Sequence, residues 1–328
     1  MQSLSAGSDM TIPTAGALGD DNGTAGARVL IAIPTFRRPD GLRRLLAAIA
    51  AMNTRADIRV LVADNEGSEG AGLAVVQALA GSYRFPIEAI PVPERGLSNV
   101  RNAMIAYARK DAGLDYVAMI DDDEWPTESW IDDLVAMQKA TGSSVVGGPN
   151  LPVFAPGAPD WARHCPLFVS DDMPDGPVDI VWGTCNLLLH KSAFAHSDSN
   201  LFDPLFNRSG GEDVDAFMRL KSSGHRFAWS RSAVVWDDIP LNRTTLGWIT
   251  RRAFRIGNSN MLVQLRWKYG RHGRLVALPS ALAAIAANSM LLLAFSLSPK
   301  RRLTYYCRLV RSIGKLAFLT GRRSFEYG

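Results

Sequence analysis

The chain has 328 residues, 47% hydrophobic and 21% charged, a balance that suits a globular protein with a sizeable core and excludes a disordered or fibrous one. Its formal charge of +4 hides an asymmetry: from Arg271 to Gly328 ten Lys or Arg face the single acid Glu326, so this end carries +9 and the preceding chain −5. A basic end on an acidic body points to an anionic partner, either a membrane or a nucleic acid.

Residues 1–27, rich in Gly, Ala, Ser, Thr and Asp, are expected to form a disordered leader. They lack the basic and apolar regions of a secretory signal. Cys165, Cys185 and Cys307 stand far apart, with no CxxC and no Cys/His metal spacing, which fits free cysteines in a reducing compartment.

Arg28–Ile33 reads as a buried strand ending in Pro34-Thr35-Phe36-Arg37-Arg38-Pro39. The next segment places Leu42, Leu45, Leu46 and Ile49 on one helical face. Ile58–Ala63 is a second strand, ending at Asp64-Asn65, and a helix near 69–81 precedes a third strand at Ile87–Ile90. A helix over 97–110 follows, with Ser98 and Asn99 as cap residues and Arg101 in its first turns. There Arg101 is either a solvated helix residue or a guanidinium facing a diphosphate.

Tyr116–Ile120 is the central strand, and it runs into Asp121-Asp122-Asp123-Glu124. Adjacent carboxylates repel, and two readings suit them. One is an acidic turn capping the next helix. The other is a site for Mg²⁺ or Mn²⁺, which takes one or two carboxylates together with substrate phosphate oxygens.

Thr127 is expected to cap a helix that turns Ile131, Leu134 and Val135 inward, and Ser144–Gly147 is a short strand. Residues 149–177, rich in Pro, Gly and Asp, read as a long ordered loop around Trp161. Val178–Leu189 reads as a strand broken at Gly183, where a bulge or a close ligand approach is expected. Gly210-Gly211 then lets the backbone turn into a helix carrying Phe217, Met218 and Leu220. Glu212-Asp213 at its start either complements the helix dipole or holds a general base.

Strands alternating with helices imply an α/β fold with a doubly wound, mostly parallel sheet. Ligands in such sheets sit beyond the carboxyl ends of the strands, so Pro34-Thr35, Asp64-Asn65 and Asp121–Asp123 border one crevice. Neither GxGxxG nor GxxxxGK[ST] is present. A nucleotide is therefore expected to be met by a carboxylate such as Asp64, which accepts from a base imide or ribose hydroxyl unless it is only a turn residue.

Taken in order, Pro34–Arg38, Asp64, Asp121–Asp123 and Gly211-Glu212-Asp213 resemble the motifs of glycosyltransferase family 2, the inverting enzymes of the GT-A fold, over about residues 28–240. The resemblance implies a nucleotide-sugar donor held by Pro34, Thr35, Arg37, Asp64, Asn65, Arg101, Asp121 and Asp122. It implies Mn²⁺ or Mg²⁺ on Asp123, with Asp121 sharing the metal or holding the ribose. Asp213 becomes the base that deprotonates an acceptor hydroxyl, with Glu212 orienting the acceptor. Trp182 and Trp161 are then sugar-stacking platforms or buried core residues. Leu246–Gly257 resembles the basic helix of succinoglycan-type exopolysaccharide glucosyltransferases, which implies Arg251 and Arg255 as acceptor-binding residues, and it departs from the Gln-x-x-Arg-Trp signature of processive synthases. UDP-glucose is the donor suggested by that likeness, with GDP-mannose and UDP-N-acetylglucosamine open.

Leu275–Ser298 holds 24 residues without a charge, between Arg271/Arg274 and Lys300-Arg301-Arg302. A helix of that length reaches about 36 Å, enough to cross a bilayer. Basic residues at both ends favour instead a hairpin or in-plane helix on an anionic membrane; a buried bundle helix is the bland alternative. The expected layout is a catalytic domain over 28–245 and a membrane-associated helical region over 246–328. A lipid-linked or oligosaccharide acceptor at the cytoplasmic face of a bacterial inner membrane would suit it. No nucleic acid is expected, because the basic residues accompany apolar helices without a recognised binding motif. The rival functions are a nucleotidyltransferase on a similar fold and a non-catalytic membrane scaffold.

Overall fold

The computed structural model describes residues 26–170, 172–195 and 200–324. Most of the expected leader lies outside these, but Ala27 is already buried in the core. The strands are β1 (Arg28–Thr35), β2 (Asp57–Asp64), β3 (Ile87–Pro91), β4 (Tyr116–Ile120), β5 (Glu124–Pro126), β6 (Val145–Gly147), β7 (Asn150–Phe154), β8 (Gly176–Val178), β9 (Asn186–His190), β10 (Phe227–Trp229) and β11 (Val235–Ile239). The helices are α1 (Pro39–Ala51), α2 (Ala71–Leu79), α3 (Leu97–Ala108), α4 (Trp130–Thr141), α5 (Asp160–Arg163), α6 (Glu212–Ser222), α7 (Leu246–Trp267), α8 (Gly273–Ala294) and α9 (Pro299–Leu319).

The main sheet runs β3-β2-β1-β4-β9-β6-β10-β8. β1 pairs in parallel with both β2 and β4, whereas β9 lies antiparallel between β4 and β6, and β8 is antiparallel at the edge. The sheet is therefore mostly parallel, as the alternation of elements implies. β5, β11 and β7 form a second, three-stranded sheet.

Alternation along β1 builds two cores. Val29, Ile31 and Ile33 pack with Leu42, Leu45, Leu46 and Ile49 of α1 and with Trp130, Ile131, Leu134 and Val135 of α4. Leu30 and Ala32 face the opposite way, onto Val100, Met104 and Ile105 of α3 and onto Phe217 and Leu220 of α6. Because both faces are covered, the central strands are apolar throughout rather than alternating, and β4 is buried at every position.

Three local expectations are corrected. Ser98 and Asn99 do not cap α3, which starts at Leu97. Instead the Asn207 side chain, 108 residues away, accepts from Asn99 N at 3.0 Å, and Ser98 Oγ donates to the Asp203 carbonyl. Thr127 makes no side-chain cap on α4, which begins at Trp130. The stretch over 149–177 is not a bare loop: it supplies β7 to the second sheet and carries α5, whose Cys165 end packs with Cys307 of α9.

Candidate active site

The carboxyl ends of β1, β2 and β4 meet where Thr35 pairs in register with Asp64 and β4 opens into the acidic run. Asp122 is the hub of the loop after β1. It accepts from Thr35 Oγ1 at 2.8 Å, from Phe36 N at 3.4 Å and from Arg38 at 3.1 Å. Gly41 passes so close that a Cβ would lie 2.5 Å from the Asp122 carbonyl oxygen, so this approach requires glycine. Asp122 thus orders the motif loop, and burial holds its carboxyl up at about 6 against the pull of Arg38 and Thr35.

Asp123 stands half-buried with two guanidiniums on it, Arg38 at 2.7 Å and Arg243 at 2.9 Å. Beside it opens a cavity of about 490 Å³ lined by Arg37, Arg38, Arg44, Asp123, Asp238 and Arg243. Arg44 pairs with Asp238 at 3.1 Å and stacks over Trp125. Arg37 adopts φ 56° and bonds Glu66.

Asp64 and Asn65, expected to contact the nucleotide, are occupied with the backbone. The buried Asp64 carboxylate accepts from Glu66 N at 2.8 Å, Gly72 N at 2.7 Å and Leu73 N at 3.3 Å, which holds the start of α2. A Cβ on Gly70 would lie 2.2 Å from that carboxylate. Asn65 donates to the carbonyls of Val92 and Glu94 and accepts from Gly96 N. Both side chains thus hold the main chain at the wall of the crevice. Pro34 is half-buried in register with Ala63.

On the other side Arg101 is only 5% exposed and braces two segments. It ion-pairs with Glu212 at the start of α6 and lies 3.7 Å from Asp121. A buried guanidinium needs such partners. Arg101 is therefore a strut between carboxylates rather than an open phosphate clamp, and Glu212, buried beneath, faces Arg101. Its neighbour Asp213 is half-buried in the first turn of α6, after Gly210 and Gly211 at φ +73° and +95°. The negative charge of Asp213 is felt at Asp121. The ends of β4 and α6 are thus neighbours, joined through Arg101.

The acids around Asp121 outnumber their countercharges. Glu124 is buried, accepting from Asp121 N at 3.0 Å and Asn150 at 2.7 Å, and burial with Asp121 and Asp237 nearby pushes its carboxyl well up. Asp237 sits opposite Glu124 in the β5–β11 pairing, an unfavourable juxtaposition of like charges. Burial, then Asp123, raises Asp237 to about 7 even with Arg243 opposing. Asp121 is raised by burial too, against Arg101. Among the described residues no three His, Cys, Asp or Glu groups form a complete cation cage. A Mg²⁺ or Mn²⁺ ion held by one or two carboxylates plus phosphate oxygens needs none, and this surplus of oxygen ligands suits a hard divalent ion.

Trp182 and Trp161 are 48% and 38% exposed, so neither is a core residue. Trp182 lies beside Gly183, whose φ of +85° breaks the chain between β8 and β9. Arg251 is exposed and Arg255 half-buried on α7, the helix whose Ser259 and Val263 pack on Gly211. Sequence reasoning did not single out Arg243, Asp237 or Arg44 as site residues. For Arg243 and Asp237 the only signal was a cluster of charges around β11, where an isolated strand gives no hint of its partner.

Residues 30–194 match the family Glycosyl transferase family 2. The chain is 32% identical over 308 residues to the succinoglycan biosynthesis protein ExoM of Rhizobium meliloti (strain 1021), covering 91% of this chain and 95% of that one. It is 27% identical to the pre-mycofactocin glycosyltransferase of Mycobacterium tuberculosis (strain ATCC 25618 / H37Rv), over 70% of this chain and 46% of the relative. In fold it is similar to the mannosyltransferase PcManGT of Pyrobaculum calidifontis, solved with GDP-Man and Mn²⁺, at a TM-score of 0.59, 17% identity and coverage of 90% and 88%. The acidic turn after β4, the glycine-led start of α6 and the sheet that joins them accordingly belong to a glycosyltransferase, and the chain is a member of glycosyl transferase family 2.

Proposed function

We propose that the protein transfers a hexose from a nucleotide-sugar donor, UDP-glucose first among candidates, to a hydroxyl of a lipid-linked oligosaccharide in exopolysaccharide biosynthesis, with inversion and one sugar per encounter. The observation that carries this reading is the Arg101 strut, which ties Asp121 to the residue beside Asp213. The likeness to ExoM supports the polysaccharide setting.

The residues divide the work. Asp123, with Asp121, would hold a Mn²⁺ or Mg²⁺ ion, whose chemistry is to neutralise charge on the departing diphosphate. Arg38 and Arg243 can serve as phosphate ligands, because a diphosphate offers them bidentate acceptors in place of Asp123. Asp213 takes the proton from the acceptor hydroxyl as its oxygen attacks the anomeric carbon opposite the leaving group. One displacement converts an α-linked donor into a β-glycoside. Exposed Trp182 offers a flat apolar face to a sugar ring. The cytoplasmic side of the membrane, where nucleotide sugars are made, is the matching location.

The test is turnover of a nucleotide-sugar panel by membranes or purified enzyme with and without Mn²⁺, the product anomer being read by NMR. A β-product whose formation stops on chelation supports the reading. A retained α-anomer, or nucleotidyl transfer, would replace it.

A further inference from the structure

Among the described residues α8 is the one helix long and apolar enough to cross a membrane, yet it is nearly bare, with only 11% of its apolar window buried. Its large exposed apolar side chains, Val276 at 55% among them, form one broad face. Leu275, Leu278, Leu282, Met290, Leu293 and Leu297 succeed one another at helical spacing along the whole length and into the following turn, each more than 40% exposed. Length alone does not decide whether such a helix crosses a bilayer or lies in it.

The neighbour decides. α9 runs back antiparallel along α8: Phe295 stacks on Tyr305 at 5.3 Å, Asn288 reaches Ser312 at 3.5 Å, and Ala277 packs with Phe318. The other flank of α9 is pressed into α7. A Cβ on Gly257 would lie 2.0 Å from the Arg311 carbonyl oxygen, and one on Gly314 would lie 2.1 Å from that of Phe254. Asn258 donates to the Gly314 carbonyl at 3.2 Å, and the hydroxyls of Thr250 and Tyr306 are bonded at 2.7 Å. α7 is in turn fixed to the catalytic body, where Trp267 and Arg266 donate to the fully buried Asp215 at 2.9 and 3.1 Å. Were α8 to cross a bilayer, α9 and α7 would be carried to the same depth. Exposed Arg308 and half-buried Arg311 and Lys315 would then enter the hydrocarbon, a strongly unfavourable place for ionised groups.

We infer that α8 is a monotopic insert: it lies in the plane of one leaflet of an anionic bilayer, with its leucine stripe among the acyl chains and α9 as the strut above it. This deepens the membrane-acceptor reading above and rests on it. Charge selects the occupant. Arg274 is exposed at one end of α8, and Lys300, Arg301 and Arg302 are exposed at the other, next to Leu297. Arg301 also lies over the Phe295 ring at 4.8 Å. Basic groups around an apolar stripe match lipid phosphates at the edge of the acyl region. Since α7 also packs on Gly211, the start of α6 lies one helix layer from this insert, which would bring an acceptor hydroxyl held at the surface toward Asp213.

The experiment uses the full chain and vesicles of phosphatidylcholine with or without phosphatidylglycerol. Binding should be at least about tenfold stronger with the anionic lipid, and the exposed double change Arg301→Glu/Arg302→Glu should remove most of that gain. Single variants Leu275→Cys, Leu282→Cys, Met290→Cys and Leu297→Cys, each carrying an environment-sensitive fluorophore, are then quenched by shallow or deep nitroxide lipids. One common shallow depth for all four supports the inference. A depth that rises to a maximum in mid-helix and falls again would show a crossing helix and overturn it, leaving the membrane reading intact. Failure to bind anionic vesicles, or self-association through α8 in their place, would overturn the inference and the membrane reading together.

Discussion

Two carboxylate-bearing strand ends flank β1 in this sheet and are treated in opposite ways. At the end of β2, the buried Asp64 carboxylate accepts from three backbone N–H groups. At the end of β4, Asp121, Asp123 and Glu124 face Asp237 with too few cations among them, and burial lifts several of their protons. The first arrangement stabilises a loop. The second holds charge that a proton or a cationic ligand relieves. A strand-terminal acid is scaffold or chemistry according to who supplies its hydrogen bonds, and a one-dimensional motif does not carry that information.

The comparison can be broken first at its brace. Arg101→Met would strip buried Glu212 of its guanidinium and should destabilise by about 3–5 kcal/mol, read by denaturant unfolding. A change below about 1 kcal/mol would mean that the strut does not hold α6 to β4. Asp64→Ala should lower stability by about 1–3 kcal/mol, since three N–H groups lose their acceptor. A sole effect on donor affinity, with stability unchanged, would make Asp64 a ligand residue instead.

Asp237→Asn should act with the opposite sign. The folded state raises the Asp237 carboxyl to about 7. Its contribution is therefore fully present below the ordinary carboxylate range and is lost as pH rises through about 7. In metal-free buffer the variant should gain about 1–2 kcal/mol near pH 8 after allowance for solvent screening, and nothing near pH 4. Equal melting shifts at both pH values would remove repulsion as the cause. The smallest effect is expected at Asn207→Ala, which removes the cap on Asn99 N: about 1 kcal/mol, measured by thermal unfolding.

Much of the scaffold was legible because it is written locally. Short apolar strand runs and the 42, 45, 46, 49 face of α1 follow from neighbouring residues, and so does the glycine-led entry to α6. The acidic turn after β4 was legible for the same reason. What escaped was non-local. Arg243 reaches Asp123 across 120 positions, Asn207 caps a helix 108 positions earlier, and Asp237 opposes Glu124 only because β11 adds to β5. The role of Arg101 as a strut depends on Glu212, which spacing could not bring beside it.

The central claim is that Asp213 supplies the base in the cleft where Asp123 serves the donor. Its most direct test is Asp213→Asn, measured for sugar transfer and, by calorimetry with Mn²⁺, for nucleotide-sugar binding. The expected result is a loss of turnover on the order of 10²–10⁴-fold with donor affinity within about threefold of the parent. Turnover near the parent value would contradict the account.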